Sequence, residues 1–134
     1  MDTDRTRSLC AWTTVVILAG AKEFGRSPVA LKYPRALWPL VDRPVLEHQL
    51  LELARQGFHR AVICANGEAG AFQRWAEEQP VPGLALSFTR DEWPRGAAGC
   101  VKDAVREMVR GSVLIVEAGA AWVPSGGELV RQHR

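Results

Sequence analysis

The sequence has no long apolar run, no run of one charge and no C-x-x-C pair, and each absence excludes a class of protein. Its first apolar stretch, "VVILAG" from Val15 to Gly20, is too short to cross a bilayer or to form a signal-peptide core before a cleavage site. No membrane partner is therefore expected, and the chain is expected in the cytoplasm. Seventeen Lys and Arg against fifteen Asp and Glu leave a formal charge of +2. The basic residues are scattered, without a cluster or interleaved aromatics, so no nucleic-acid partner is expected. Cys10, Cys64 and Cys100 are far apart and odd in number, which suggests neither a zinc site nor a disulfide framework. Cys64, inside "AVICA", reads as a small buried hydrophobe.

What remains is an ordinary globular composition, 47% apolar and 24% charged over 134 residues, enough for one domain with a core. The β-branched run "TVVILAG" closed by glycine reads as a strand buried on both faces. A long irregular connection follows, punctuated by Gly25, Pro28, Pro34 and Pro39. "DRPVLEHQLLELARQG" then sets Val45, Leu46, Gln49, Leu50, Leu53 and Ala54 at helical spacing, with Pro44 suited to the first turn and Gly57 to the C-terminal cap. "FHRAVICAN" reads as a second strand, "GEAGAFQRWAEEQ" as a short helix and "LALSFTR" as a third strand. "GAAGCVKDAVREMVRG" reads as helical after its glycines, with Val101, Ala104, Val105, Met108 and Val109 along one side. "SVLIVEAGAAWV" supplies a fourth strand. This alternation implies a Rossmann-like parallel sheet with helices on both faces, whose ligands sit at the carboxyl ends of the strands near the point where strand order reverses. The α/β domain is expected over 13–124, with flexible termini at 1–12 and 125–134.

Four short stretches, in order, resemble the sugar-nucleotide pyrophosphorylases, nucleotidyltransferases that make NDP-sugars from an NTP and a sugar 1-phosphate. "LAG", Leu18 to Gly20, matches the start of L-A-G-G-x-G-T-R-L-x-P-L. "PRALWPLVDRP", Pro34 to Pro44, matches P-K-x-L-x-P-V-x-x-x-P and is followed by "VLEHQL". "EWPRGAAGCVKDA", Glu92 to Ala104, is similar to E-x-P-x-G-T-A-G-A-L-x-x-A, and "GSVLIVEAGAAW" stands where the family has a strand ending in N-G-D. The resemblance spans about residues 14 to 123 and implies the nucleotide-diphospho-sugar transferase type of sheet, in an incomplete form.

The chemistry implied by that resemblance is attack of a sugar phosphate oxygen on the α-phosphorus of an NTP. It needs Mg²⁺, Arg or Lys against an anionic transition state, and backbone N–H groups close to the phosphates. The resemblance implies nucleotide contacts at Leu18, Ala19, Gly20, Ala21, Arg26, Gly96 and Ala97. Aligned without a gap, G-x-G-T-R falls on Ala21, Lys22, Glu23, Phe24 and Gly25, so an anion replaces the second glycine and a glycine replaces the catalytic arginine. Arg26 or Lys22 is left to reach back through a shifted loop. Arg35 stands in place of the family's lysine as the candidate catalytic residue, with a solvated loop arginine as its alternative. Gly96 and Gly99 are kept, either to bring a helix N-terminus toward a ligand or for close packing. Gly119 replaces the aspartate that holds Mg²⁺, so the expected ion lacks its ligand, and no metal residue is assigned. Glu117, two residues earlier, offers either a displaced carboxylate or a strand-end ion-pair partner. His48, His59 and His133 have no partnered nucleophile.

Three readings follow from these residues. One is a degenerate nucleotidyltransferase-like protein without catalysis, which retains weak nucleotide binding or serves as a partner or regulatory subunit. The second is an active nucleotidyltransferase making an NDP-sugar at a divergent site. The third is a truncated product, suggested by the short tail "PSGGELVRQHR". The first is favoured because the substitutions lie upstream of any truncation. The expected partners are an NTP and either a second copy of the chain or a full-length family member. The last strand is expected to leave an apolar face or edge exposed.

Overall fold

A computed structural model describes residues 2–19, 33–65, 69–89, 96–106, 108, 111–119 and 125–133. In chain order, the elements are α1 (Asp2–Ala11), β1 (Thr13–Leu18), a 3₁₀ turn (Arg35–Leu37), β2 (Pro39–Leu40), β3 (Arg43–Pro44) and α2 (Val45–Gln56). They continue with β4 (Arg60–Cys64), α3 (Ala69–Glu78), β5 (Ala85–Thr89), α4 (Gly96–Ala104), β6 (Ser112–Glu117) and α5 (Gly126–His133). Strands β5, β4, β1 and β6 form, in that spatial order, one parallel sheet, while β2 and β3 make a two-residue antiparallel pair. This is the expected Rossmann-like architecture.

The register explains the core. Val15 sits between Ala61 and Leu114, and Ile17 between Ile63 and Val116, so these side chains line one face of the sheet. Leu46, Leu50 and Leu53 of α2, Phe72 and Trp75 of α3, Cys10 of α1 and Val130 of α5 bury that face. The opposite face holds a smaller cluster, in which Val16 and Cys64 meet Cys100, flanked by Val101, Ala104 and Val105 around α4.

Helix α2 follows from its sequence. Pro44 is its N-cap, Gly57 its left-handed C-cap at φ 100°, and the buried Leu46, Gln49, Leu50 and Leu53 fall on one stripe. Arg55 donates from Nε to Glu52 Oε2 at 2.8 Å, and this bond, joined by one from Gln56, holds the Glu52 carboxyl below its ordinary range.

Two expectations are corrected. The ends, expected to be flexible, are helical over 2–11 and 126–133, and α1 packs on α5. Cys10 is fully buried, which pushes its thiol pKa up. The close approach depends on two glycines: a Cβ on Gly126 would lie 3.0 Å from Leu114 Cδ2 and 3.1 Å from Phe58 Cε2, and one on Gly127 would lie 3.0 Å from Thr6 Cγ2. Gln56 Oε1 accepts a hydrogen bond from the Gly127 N–H at 3.1 Å, tying α5 to α2. The other correction concerns α4, which begins on Gly96 and ends at Ala104. Val105 and Arg106 already form a turn, and Val109 lies outside the described residues.

Candidate functional site at the strand switch point

The chain runs from β1 outward through β4 to β5, then returns to the other side of β1 as β6. Strand order therefore reverses between β1 and β6, and the crevice outside their carboxyl ends is where open α/β sheets take ligands. That rim is built from Leu18 and Ala19 on one strand and Glu117, Ala118 and Gly119 on the other. The Ala118 N–H donates to the Leu18 carbonyl at 2.9 Å, and the Ala19 N–H donates to the Cys64 carbonyl at the same distance. The sheet ladder thus runs through the last residue of β1 and fixes the two strand ends side by side.

Two further segments bracket the crevice. On the α2 side, the 3₁₀ turn is pinned by Ala36, which is buried in the core, and Arg35 is left exposed beside it. The Arg35 stem crosses Gly119: a Cβ on this glycine would lie 3.7 Å from Arg35 Cδ and 3.9 Å from Cγ and Nε. On the other side lies α4. Its Ala104 lines a groove with Arg60 and Ala85 at the strand starts, while the Cys64 thiol, at the end of β4, donates to the Cys100 carbonyl at 3.7 Å. The helix consequently runs against the strands, and Gly96 and Ala97 at its N-terminus face the carboxyl rim. Gly96 has φ 75°, a conformation that favours glycine, and an added Cβ would meet nothing within 4 Å. Backbone conformation, rather than close packing, accounts for glycine at that position.

Of the residues singled out from sequence, Leu18, Ala19, Arg35, Gly96 and Ala97 come to this rim. Gly20, Ala21 and Arg26 lie outside the described residues, as do Lys22, Glu23, Phe24 and Gly25. Glu117 is exposed and alternates onto the α4 face, because Leu114, Val116 and Ala118 pack into the α2-side core. His48 Nε2 donates to the Leu40 carbonyl at 2.9 Å, which anchors the β2–β3 hairpin on α2 and gives this histidine a structural task. Sequence reasoning placed Gln49 only on a helix stripe. It is a buried polar residue whose Nε2 donates to the Glu117 carbonyl at 3.2 Å, holding α2 to the end of β6. A polar residue within an apolar helix stripe was the available signal for that tie.

The described residues of the rim do not make a Mg²⁺ site: the ion wants carboxylate oxygens, and they offer one carboxylate, Glu117 on the α4 face, while at Gly119 the Arg35 stem lies 3.7 Å from where a Cβ would stand. Among the described residues, no group of three His, Cys, Asp or Glu could hold a metal ion. Gly119 also has φ 94°, where a side chain is strained by about 1–2 kcal/mol. Two cavities among the described residues lie away from this rim. One, of about 500 Å³, sits between α3 and β5 near Val81 and Phe88, and the other, of about 580 Å³, lies at the strand starts between Trp12 and Met108.

A parallel sheet with this reversal and this rim has the Rossmann-like fold of nucleotidyltransferases. The chain is related in sequence, over part of its length, to the NDP-sugar nucleotidyltransferases. It is 30% identical over 91 residues to a mannose-1-phosphate guanyltransferase of Pichia angusta, a match that covers 65% of this chain and 24% of that protein. Among solved structures, HddC from Yersinia pseudotuberculosis superposes with a TM-score of 0.70 at 20% identity, over 78% of this chain and 47% of the other. A UDP-glucose pyrophosphorylase complexed with UDP-glucose superposes with a TM-score of 0.75 at 12% identity, over 90% of this chain and 52% of the other. The match thus spans about half of each solved chain and about a quarter of the guanyltransferase. No protein-family model matches the chain.

Proposed function

We propose that this chain is a nucleotidyltransferase-fold protein that binds a nucleotide at the β1–β6 switch point and does not catalyse nucleotidyl transfer. The observation that carries this reading is the end of β6, where Gly119 with an arginine stem against it stands in the place the resemblance gives to a metal-holding aspartate. Without a carboxylate at that position, the described residues include no group of three that could hold the cation that the transfer chemistry requires. The remaining rim, with its strand ends and the N-terminus of α4, keeps the shape of a phosphate site. That HddC has been solved with GMP-PN, and the pyrophosphorylase with UDP-glucose, supports a nucleotide as the ligand class. The protein acts in the cytoplasm as a pseudoenzyme and partner subunit. No described helix is long and apolar enough to cross a membrane.

The test pairs two measurements on the full chain. Each NTP is titrated calorimetrically, and pyrophosphate release is followed with the same NTPs, Mg²⁺ and a panel of sugar 1-phosphates. Binding without release is the expected result. Release that scales with protein concentration would establish the active-enzyme alternative, and the absence of binding by any NTP at millimolar concentration would remove the nucleotide reading.

A further inference from the structure

At the amino ends of the strands, the cover over one face of the sheet stops short. Helix α4 ends at Ala104. The first row of residues on its side of the sheet, Thr14, Arg60 and Ala85 in register, therefore lies under a groove of about 580 Å³ rather than under a helix. Val62 and Ser87 of the next row continue its floor, and Trp12 and Met108 complete the lining.

The groove has the chemistry of a site for a small anion. Its described lining holds one cation, Arg60, and no carboxylate. Arg60 is exposed and has no ion-pair partner among the described residues. Thr14 is 4% exposed, yet its hydroxyl has no hydrogen-bond partner among the described residues. A buried hydroxyl costs free energy unless it is paired, so this one draws its partner from whatever fills the groove. Trp12 is the opposite case, a large ring that is 62% exposed on a backbone that is held. Its N–H donates to the Leu9 carbonyl at 3.2 Å, and Gly111 passes so close that a Cβ there would lie 2.5 Å from the Trp12 carbonyl oxygen. Apolar walls with a few converging polar groups are what small-molecule sites are made of.

We propose that this groove is a second ligand site, separate from the rim, and that it takes a small aromatic monocarboxylate. The Arg60 guanidinium offers paired N–H donors to a carboxylate, a geometry that suits it. The Thr14 and Ser87 hydroxyls are available to donate to the same oxygens. The indole of Trp12 and the apolar side chains of Val62, Ala104 and Met108 take the ring. One cation matches one negative charge. A polyphosphate would bring several, and the described lining has no second cation to offset them. From Thr14 to Leu18 at the rim is about 13 Å of strand, so this site does not depend on the nucleotide reading above.

Two-dimensional amide NMR of the full chain, titrated with indole-3-acetate and with naphthalene-2-carboxylate, tests the proposal. The expected result is saturable shifts at the amides of Thr14, Arg60 and Ser87, with a Kd of about 1 mM. Arg60→Gln is expected to weaken binding by at least about fivefold, and indole-3-acetamide, which keeps the ring and loses the charge, should bind the unaltered protein more weakly by a similar factor. Trp12→Ala is expected to cost about fivefold as well, and Trp12→Phe less, because an aromatic face remains. Both altered side chains are exposed, and the dispersion of each variant's amide spectrum checks its fold. No saturation by either acid up to about 10 mM would overturn the proposal, as would shifts that gather at the rim around Leu18 and Gly96. Affinity unchanged by Arg60→Gln, by Trp12→Ala or by the exchange of acid for amide would overturn it too, and the groove would then be open surface. None of these outcomes bears on nucleotide binding, which NTP titration reads at the other end of the strands.

Discussion

On the side of the sheet carrying Val15, Ile17, Ile63 and Val116, the described residues place α1, α2, α3 and α5 over the strands. On the side carrying Val16, Val113 and Ile115, α4 is the covering helix among the described residues, and its cluster gathers around Val16, Cys64 and Cys100. Both faces are apolar in sequence, but they are not equally covered. Val16 at the middle of the sheet is fully buried, while Ile115, one strand over at the same level, is 53% exposed. A parallel sheet is ordinarily covered on both faces, so burial here is decided by position relative to one nine-residue helix rather than by residue type. Ligand binding falls on the rim shared by the two faces, where Arg35 approaches from the covered side and Gly96 from the other.

The largest expected contrast is a matched pair of truncations. Leu50→Ala removes a fully buried side chain from the stripe of α2. It is expected to cost about 2–5 kcal/mol, transfer loss and cavity together. Val113→Ala, on the less covered face and 38% exposed, is expected to cost under about 1 kcal/mol. Urea denaturation followed by circular dichroism measures both. Equal losses would mean that the second face is buried in solution by something beyond α4.

A smaller effect is expected at the seam between the covered face and the chain end. Gly126→Ala puts a Cβ within about 3 Å of the Leu114 and Phe58 side chains. Phe58 is fully buried and Leu114 is packed into the same cluster, so neither can withdraw freely. A loss of about 1–3 kcal/mol is expected from overpacking. Unchanged stability in the same denaturation experiment would show that α5 is not held to the sheet as this contact requires.

This seam also separates what was legible in the sequence from what was not. Helix α2 could be read because its evidence is local: a stripe at 3.6-residue spacing, proline at one end and glycine at the other. The strands β1, β4, β5 and β6 could be read from β-branched or alternating runs between turns. Helices α1 and α5 could not, since "DTDRTRSLCA" has few apolar residues and "GGELVRQH" opens on two glycines, a composition that suggests a loop. Each is helical because it packs on the other and on the sheet, and the glycines that looked like loop residues permit that contact. The candidate site divides in the same way. Arg35 and Gly119 could each be recognised as replacements within a motif, but their contact joins positions far apart in the chain. Only the fold brings the turn after Pro34 against the end of β6.

The smallest expected effect on folding, and the one that most directly tests the difference between the faces, is at Ile115. Lysine in place of a side chain that is already half exposed should change stability by no more than about 0.5 kcal/mol. Its effect on association should be much larger if a second copy covers the strip formed by Val113 and Ile115 on the edge strand β6. Among the described residues β6 is the last strand of the sheet, and an edge that carries apolar side chains favours pairing with another chain. Sedimentation velocity over a hundredfold concentration range, roughly from micromolar upward where weak interfaces begin to fill, should then show wild-type protein growing heavier and Ile115→Lys remaining monomeric. A wild-type protein that stays monomeric throughout would remove self-association as the fate of this face. Growth that persists in the variant would place the interface elsewhere on the molecule, and the difference between the two faces would then be one of packing alone.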